Sequence, residues 1–546
     1  MRPVHLSAVL GLALVLALPW LAVTGFALGS LLDGNAWQAL AQQPQLPSAL
    51  GLTLWTGLAS TALAWWGAAR LLAGAFVQRA LERLLRGLPA MLATPHAAFA
   101  IGLVFLLSPS GWLLRALSPW LTGFELPPPW PTTQDPWGLG LIAALALKEI
   151  PFLLWAASTQ LQRDDLRRRW RSEHALAQTL GYAPRAAWWR VVWPQLAPRL
   201  RWPLLAVLAY GLTVVDMALV IGPASPPTLA VLAWQWLQDA DPAVNSQGAV
   251  AGGALALAVL AAALGTLALK SLARRHLHPG HGARGRALAE GRDRLPLAAA
   301  LLFAAYALVL AALAVGSVAG LWPFPAVWPE ALSLQAWQSV FASGPTLGTT
   351  LGLAAASAAL ALLWCVAWLE LAPRRWDSAL RPLVFLPLVL PAVLWVVGLY
   401  RVALAVQLEG RWAGLLLAHT VMALPYVLLT LSPAYLGVDP RLAAVSASLG
   451  HGRPAFLWRV KWPLLRRALA ASAAVGFAVS VAQYLPTLYV GAGRYASVTT
   501  EAVTLAAGAQ RSLNSAYAAL QFALPVLAFG LAAWVGRPRR FTVGAT

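Results

Sequence analysis

The feature that most constrains this chain is its succession of long apolar runs. A segment crossing the hydrocarbon of a bilayer needs roughly 20 mainly apolar residues, because lipid offers no partner to a backbone N–H or C=O and a helix satisfies them internally. About twelve such runs occur, near residues 6–31, 49–69, 88–108, 137–160, 203–222, 248–269, 296–318, 347–369, 382–400, 413–433, 468–490 and 514–536. With 60% of 546 residues hydrophobic and only 11% charged, the chain carries more apolar surface than one soluble core could hide. The expected fold class is all-α, a polytopic membrane protein of about twelve transmembrane helices. The first run is too long for the apolar region of a secretion signal and is read as a span.

The formal charge of +20 raises the question of nucleic acid, and the positions of the cations answer it. With the N-terminus inside, 33 of the 39 Lys and Arg fall in cytoplasmic segments; Arg115, Arg401, Arg411, Arg494 and Arg511 fall outside and Lys148 lies within a span. That bias predicts cytoplasmic N- and C-termini and accounts for the basicity without nucleic acid, while anionic membrane lipid is attracted to the same face. Most of the 28 Trp are then interfacial or packing residues. The lone Cys365 supports neither a disulfide framework nor a zinc site.

The runs divide into two copies of one module. "TLGYAPRAAWWRVVWPQL" (179–196) nearly recurs as "SLGHGRPAFLWRVKWPLL" (448–465), offset by 269 positions, and the register holds from Gly222 to Gly491 and from Asn245-Ser246 to Asn514-Ser515. Upstream the offset is 296, where Pro95 and Gly102 match Pro391 and Gly398; the first half carries extra residues in 119–138 and 163–174. Residues 1–270 read as the first six-span module, 271–295 as a polar cytoplasmic linker and 296–546 as the second module. The linker residues His276, His278 and His281 are read as solvated rather than metal-binding, lacking any Cys or carboxylate at ligand spacing.

Each repeated segment lies in a long cytoplasmic loop, 161–202 and 434–467. A short Ala- and Ser-rich helix is expected to stop at Gly181 or Gly450, and Pro194 or Pro463 to sit in the first turn of the next helix. The small residues Ala175, Ala177, Ala444 and Ala447 would leave a face that another protein can approach closely.

These loops resemble those of the inner-membrane permeases of ABC importers served by a solute-binding protein, including fused two-module permeases for ferric iron and thiamine. The family signature is Glu-Ala-Ala, three residues, Gly, nine residues, an aliphatic residue, any residue, Leu, Pro. Here it reads Ala175-Leu176-Ala177, Gly181, Val191, Trp193, Pro194 and Ala444-Val445-Ser446, Gly450, Val460, Trp462, Pro463, with alanine for the glutamate and tryptophan for the leucine in both copies. The resemblance implies a type I importer-like fold in which each loop docks as a coupling helix on one of two cytoplasmic ATPase subunits. It also implies a bacterial inner-membrane location and an external binding protein. The chain has no Gly-x4-Gly-Lys-Ser/Thr loop, so no nucleotide cofactor is expected on it and ATP is used by the partners.

Ionisable residues deep in a span cost roughly 2.5 to 3.5 kcal/mol and have a partner or a pathway to serve. Lys148, Glu149 and Asp216 are the candidates; neighbours in sequence diverge on a helix, and a Lys148–Asp216 pair between spans four and five is expected, as a structural strut in preference to substrate contact. His419 reads as a hydrogen-bonded interior residue. The competing class is a twelve-span facilitator driven by an ion gradient, but 70–87 lacks the acidic Gly-x3-Asp-Arg pattern of that class, and the repeated loops have no role in it. No nucleophile and base pair suggests an enzyme. The segment 480–505 is similar to a thiamine-type or an uncharacterised branch, and the resemblance gives a small solute such as thiamine or ferric iron as the expected substrate.

Overall fold

The computed structural model describes residues 3–77, 80–276, 295–508 and 510–537. Most of the expected linker, with His278 and His281, lies outside them. In chain order the first half contains α1 (Pro3–Leu31), α2 (Leu46–Val77), α3 (His96–Leu107), α4 (Leu139–Leu161), α5 (Asp164–Thr179), α6 (Arg201–Thr213), α7 (Asp216–Ile221), α8 (Leu229–Leu237) and α9 (Pro242–His276). The second contains α10 (Leu295–Ser317), α11 (Gly344–Leu371), α12 (Ala392–Ala405), α13 (Trp412–Leu436), α14 (Arg441–Ser448), α15 (Trp462–Val481), α16 (Leu485–Val490), α17 (Val498–Ala506) and α18 (Arg511–Val535). Among the described residues the only β-pairing is an isolated bridge between Ala319 and Leu332.

The protein is an all-α membrane protein. Nine described helices are long and apolar enough to cross a bilayer, and the pair Arg374–Leu388 and Ala392–Ala405, bent by 111°, is a broken span or a re-entrant loop over the expected run 382–400. The two other expected spans are present in different form. The run 49–69 lies in α2, where Thr53, Thr56, Ser60 and Thr61 dilute the apolar character; all four are buried and bond to carbonyls one turn back. The run 203–222 is two helices, α6 and α7, broken at Val214-Val215, and 468–490 breaks likewise between α15 and α16, at the matching position. The first break falls in the β-branched run Thr213-Val214-Val215, and the second precedes Pro486, which sits in the first turn of α16 and supplies no N–H to the Ala482 carbonyl.

The offset of 269 extends from letters to geometry. α7 and α16, α8 and α17, and the starts of α9 and α18 fall at identical offsets. One hydrogen bond recurs with them: Thr53 Oγ1 accepts from the Leu229 amide at 2.8 Å, and Thr350 Oγ1 from the Val498 amide at 2.9 Å. In each half a three-helix core forms, α2 with α4 and α6, and α11 with α13 and α15.

The first helix of each half packs on the other half: α1 on α12, and α10 on α3. Glycine permits both crossings. A Cβ on Gly102 would lie 2.7 Å from Val309, and one on Gly398 would lie 2.3 Å from Val23. The Gly102–Gly398 match is therefore a packing requirement, since only a bare Cα lets the exchanged helix approach.

Candidate functional site

The two repeated loops have one backbone design. α5 and α14 end at Gly181 and Gly450, with φ of 88° and 76°, in the left-handed region that a side chain disfavours. Tyr182 N–H reaches back to Ala177 O at 3.1 Å and His451 N–H to Ser446 O at 3.0 Å, capping the helix ends. A short helical turn begins first, at Pro184 and at Arg453. A π-turn follows it, Trp188–Val192 and Leu457–Lys461, and Pro194 and Pro463 then sit, as expected, in the first turn of the α-helices Trp193–Leu196 and Trp462–Val481. Proline supplies no N–H to the carbonyl four residues back, and the turn ahead of it widens, with Trp193 and Trp462 donating to Trp188 O and Leu457 O.

The candidate docking residues separate by face. Ala175 and Ala444 are exposed, as are Leu176 (61%), Leu180 (55%), Val445 (55%) and Leu449 (69%). Ala177 and Ser446 face inward and are buried, so the small-residue face is narrower than expected; Val191 and Val460 are partly exposed and Pro194 and Pro463 exposed. Each loop thus presents an apolar pair one turn apart, Leu176 with Leu180 and Val445 with Leu449, on a helix end closed by glycine.

The ties behind the loops differ, and sequence reasoning missed them. In the first, buried Trp170 donates to Gln195 Oε1 at 3.1 Å, Gln195 donates to Glu173 Oε2 and to Val191 O, and His174 bridges Pro184 O and Gln178. Hydrogen bonds from Arg169 and then Gln195 hold the Glu173 carboxyl below its ordinary range. In the second, Glu370 at the end of α11 pairs with Arg453 at 2.9 Å and Lys461 at 2.8 Å and accepts from Tyr435. A carboxylate closing an apolar run opposite a basic loop is a signal the sequence did carry.

Inside the bundle the expected Lys148–Asp216 pair is absent. Lys148 Nζ donates to Met91 O at 2.8 Å and lies 5.9 Å from the centre of the Tyr306 ring, on α10. Glu149, on another face of α4, lies 3.3 Å from His96 Nε2. Asp216, first residue of α7, accepts from Tyr210 Oη at 3.4 Å, and the Tyr210 ring packs on His96 at 4.7 Å. Glu149, His96, Tyr210 and Asp216 therefore form one polar chain drawn from α4, α3, α6 and α7, while Lys148 faces away from it. The Lys148 ammonium is held by a backbone carbonyl, and Asp216 meets the neutral Tyr210 in its place. His419 is buried between Ser480 Oγ at 2.9 Å and Thr487 Oγ1 at 3.1 Å, an interior hydrogen-bonded histidine.

No family model matches the chain. It is 35% identical over 519 residues to the inner membrane ABC transporter permease protein YnjC of Escherichia coli (strain K12), covering 92% of each chain. It is 30% identical over 209 residues to the molybdenum transport system permease protein ModB of Mycobacterium tuberculosis, covering 36% of this chain and 74% of that one. A probable molybdenum ABC transporter permease of Haloferax volcanii is 33% identical over 129 residues, 22% of this chain and 48% of that one. With two helix-ending glycines and two π-turn prolines in register, and near full-length similarity to YnjC, the chain belongs to the inner-membrane permeases of ABC transporters.

Proposed function

We propose that this permease serves an ATP-driven importer as two fused six-span modules, residues 1–270 and 296–546, that form the solute path between them. Each module offers one coupling loop to a separate cytoplasmic ATPase subunit, two copies in all, and an external solute-binding protein delivers the solute. The observation that carries this reading is the recurrence of the same glycine-capped helix, exposed apolar pair and π-turn at a single offset. One chain then supplies two equivalent sockets. The ModB match, 74% of that protein on 36% of this chain, fits a chain made of two permease-sized units. The charge bias supports cytoplasmic loops and termini. The resemblance of 480–505 favours a small solute of the thiamine or ferric iron kind, whereas the names of the ModB relatives point to molybdenum.

Capture of the tagged full chain from its own membranes tests the reading. An ABC ATPase should copurify, and uptake should stop on ATP depletion with the ion gradient kept. Uptake that instead follows the gradient, with no ATPase captured, would establish the facilitator alternative.

A further inference from the structure

The charges inside the bundle bear on which solute the path takes, given the reading that solute passes between the two halves. The polar chain of Glu149, His96, Tyr210 and Asp216 belongs wholly to the first half. Tyr426 of α13 lies within electrostatic reach of Glu149 and Tyr210, and Tyr484, at the break between α15 and α16, within reach of Asp216. Tyr426 is 39% exposed and the His96 side chain 35%, although the groups they face are deep in the bundle. Their uncovered surface therefore borders a gap between the halves and not the lipid.

The gap is lined by acceptors. Besides the two carboxylates, Gln483 sits beside Tyr484 in the second half's break, 8% exposed, and its Oε1 is buried without a hydrogen-bond partner. The nearby fixed cation, Lys148, is spent on the Met91 carbonyl behind the chain. Lys148, Glu149 and Asp216 thus bring two carboxyl groups to one ammonium, and that ammonium faces away from Asp216. A buried acceptor without a donor and a carboxylate without a counter-ion are both unfavourable, and a bound cation relieves both. The facing Tyr426 and Tyr484 add aromatic surface of the kind a cation approaches favourably.

We propose that this gap selects a cationic solute, with Asp216 supplying the deciding charge and Tyr426, Tyr484 and Gln483 the neutral wall. An anion would meet carboxyl groups and the unpartnered Gln483 oxygen.

The full chain in its membrane, with its ATPase, allows a test that needs no knowledge of the natural solute. Its lone cysteine, Cys365, is buried and can be removed as Cys365→Ser. On that background Tyr426→Cys and Tyr484→Cys are exposed separately to a trimethylammonium methanethiosulfonate and to a sulfonate methanethiosulfonate. The cationic reagent should outrun the anionic one by about tenfold more than at a free thiol in water. Adding Asp216→Asn should return the ratio to the free-thiol value. A ratio at or below that value at both positions, or one untouched by Asp216→Asn, overturns the proposal, as does failure of both cysteines to react with either reagent. Two positions guard against one variant failing to insert. Continued ATPase capture by a variant with a flat ratio would reject the selectivity and leave the importer reading standing.

Discussion

The two repeated loops share a backbone and differ in what holds it. From Pro184 to Val192 the first loop buries Ala187, Trp188 and Val192, whereas from Arg453 to Lys461 the second buries no residue and leaves Trp458 69% exposed. The first is held by hydrogen bonds to α5 and by ring packing on α2: Trp188 lies 4.9 Å from Phe76, and Trp193 4.9 Å from Trp65. The second stands further out and is tied by one carboxylate, Glu370, to two cations. The shape a partner would meet is thus fixed by glycine and proline in both copies. The ties to the bundle differ, although each fixes the orientation of its loop.

The comparison breaks most sharply at Glu370. Glu370→Ala leaves Lys461, 13% exposed, and Arg453 facing no carboxylate, at a cost of about 3 kcal/mol in the second loop. Hydrogen exchange should show amides 453–461 opening roughly a hundredfold more often, with 184–192 unchanged. Equal loosening of both loops would mean that they form one cooperative unit.

Next in size is the exposed apolar pair. Leu180→Asp and Leu449→Asp each remove a side chain whose burial against a partner is worth about 2 kcal/mol, roughly a thirtyfold loss in ATPase affinity. Titration of the ATPase onto each variant checks this. Because Leu449 is the more exposed of the two, 69% against 55%, the second loop should suffer the larger loss.

Smaller and symmetric is the effect of the capping glycines. Gly181→Ala and Gly450→Ala force a Cβ into a left-handed residue at about 1 kcal/mol each. Neither should depend on what anchors the loop, so equal losses of coupled ATP hydrolysis are expected from the two variants. A twofold-selective loss would show that the anchors also set the cap.

How much of this was legible in the sequence follows from which forces leave a local trace. The apolar runs foretold the all-α class, and the repeat offset carried through to helix starts such as Pro242 and Arg511, because both depend on residues close together in the chain. The glycine caps were legible for the same reason. The span 203–222 was read as one helix because hydropathy does not distinguish a straight helix from the broken pair α6 and α7. The partner of Asp216 was misjudged because Lys148 was chosen by charge alone, while Tyr210, six residues away, reaches it across the break. Glu149 and His96 are 53 residues apart and meet only when α3 packs on α4, which no spacing rule encodes. The anchors Gln195 and Glu370 were missed for the same cause.

The smallest effect distinguishes the anchors by pH. Glu173 is held below its ordinary carboxylate range by Arg169 and Gln195, so the unfolded loop binds the proton more readily than the folded one. Its contribution is complete above the unfolded value and is lost as pH falls through the lower folded one. Protection of amides 184–192 should therefore decline modestly on acidification below the usual carboxylate range, and Glu173→Gln should flatten that decline while keeping the amide within reach of Gln195. The effect is small because the Glu173 side chain is 31% exposed and water screens the Arg169 contact. A decline that survives Glu173→Gln would locate the acid-sensitive tie elsewhere, in Asp164 and Asp165 at the start of α5, and would make the inserted helix as a whole, not its contact with Gln195, the element that holds the first loop in place.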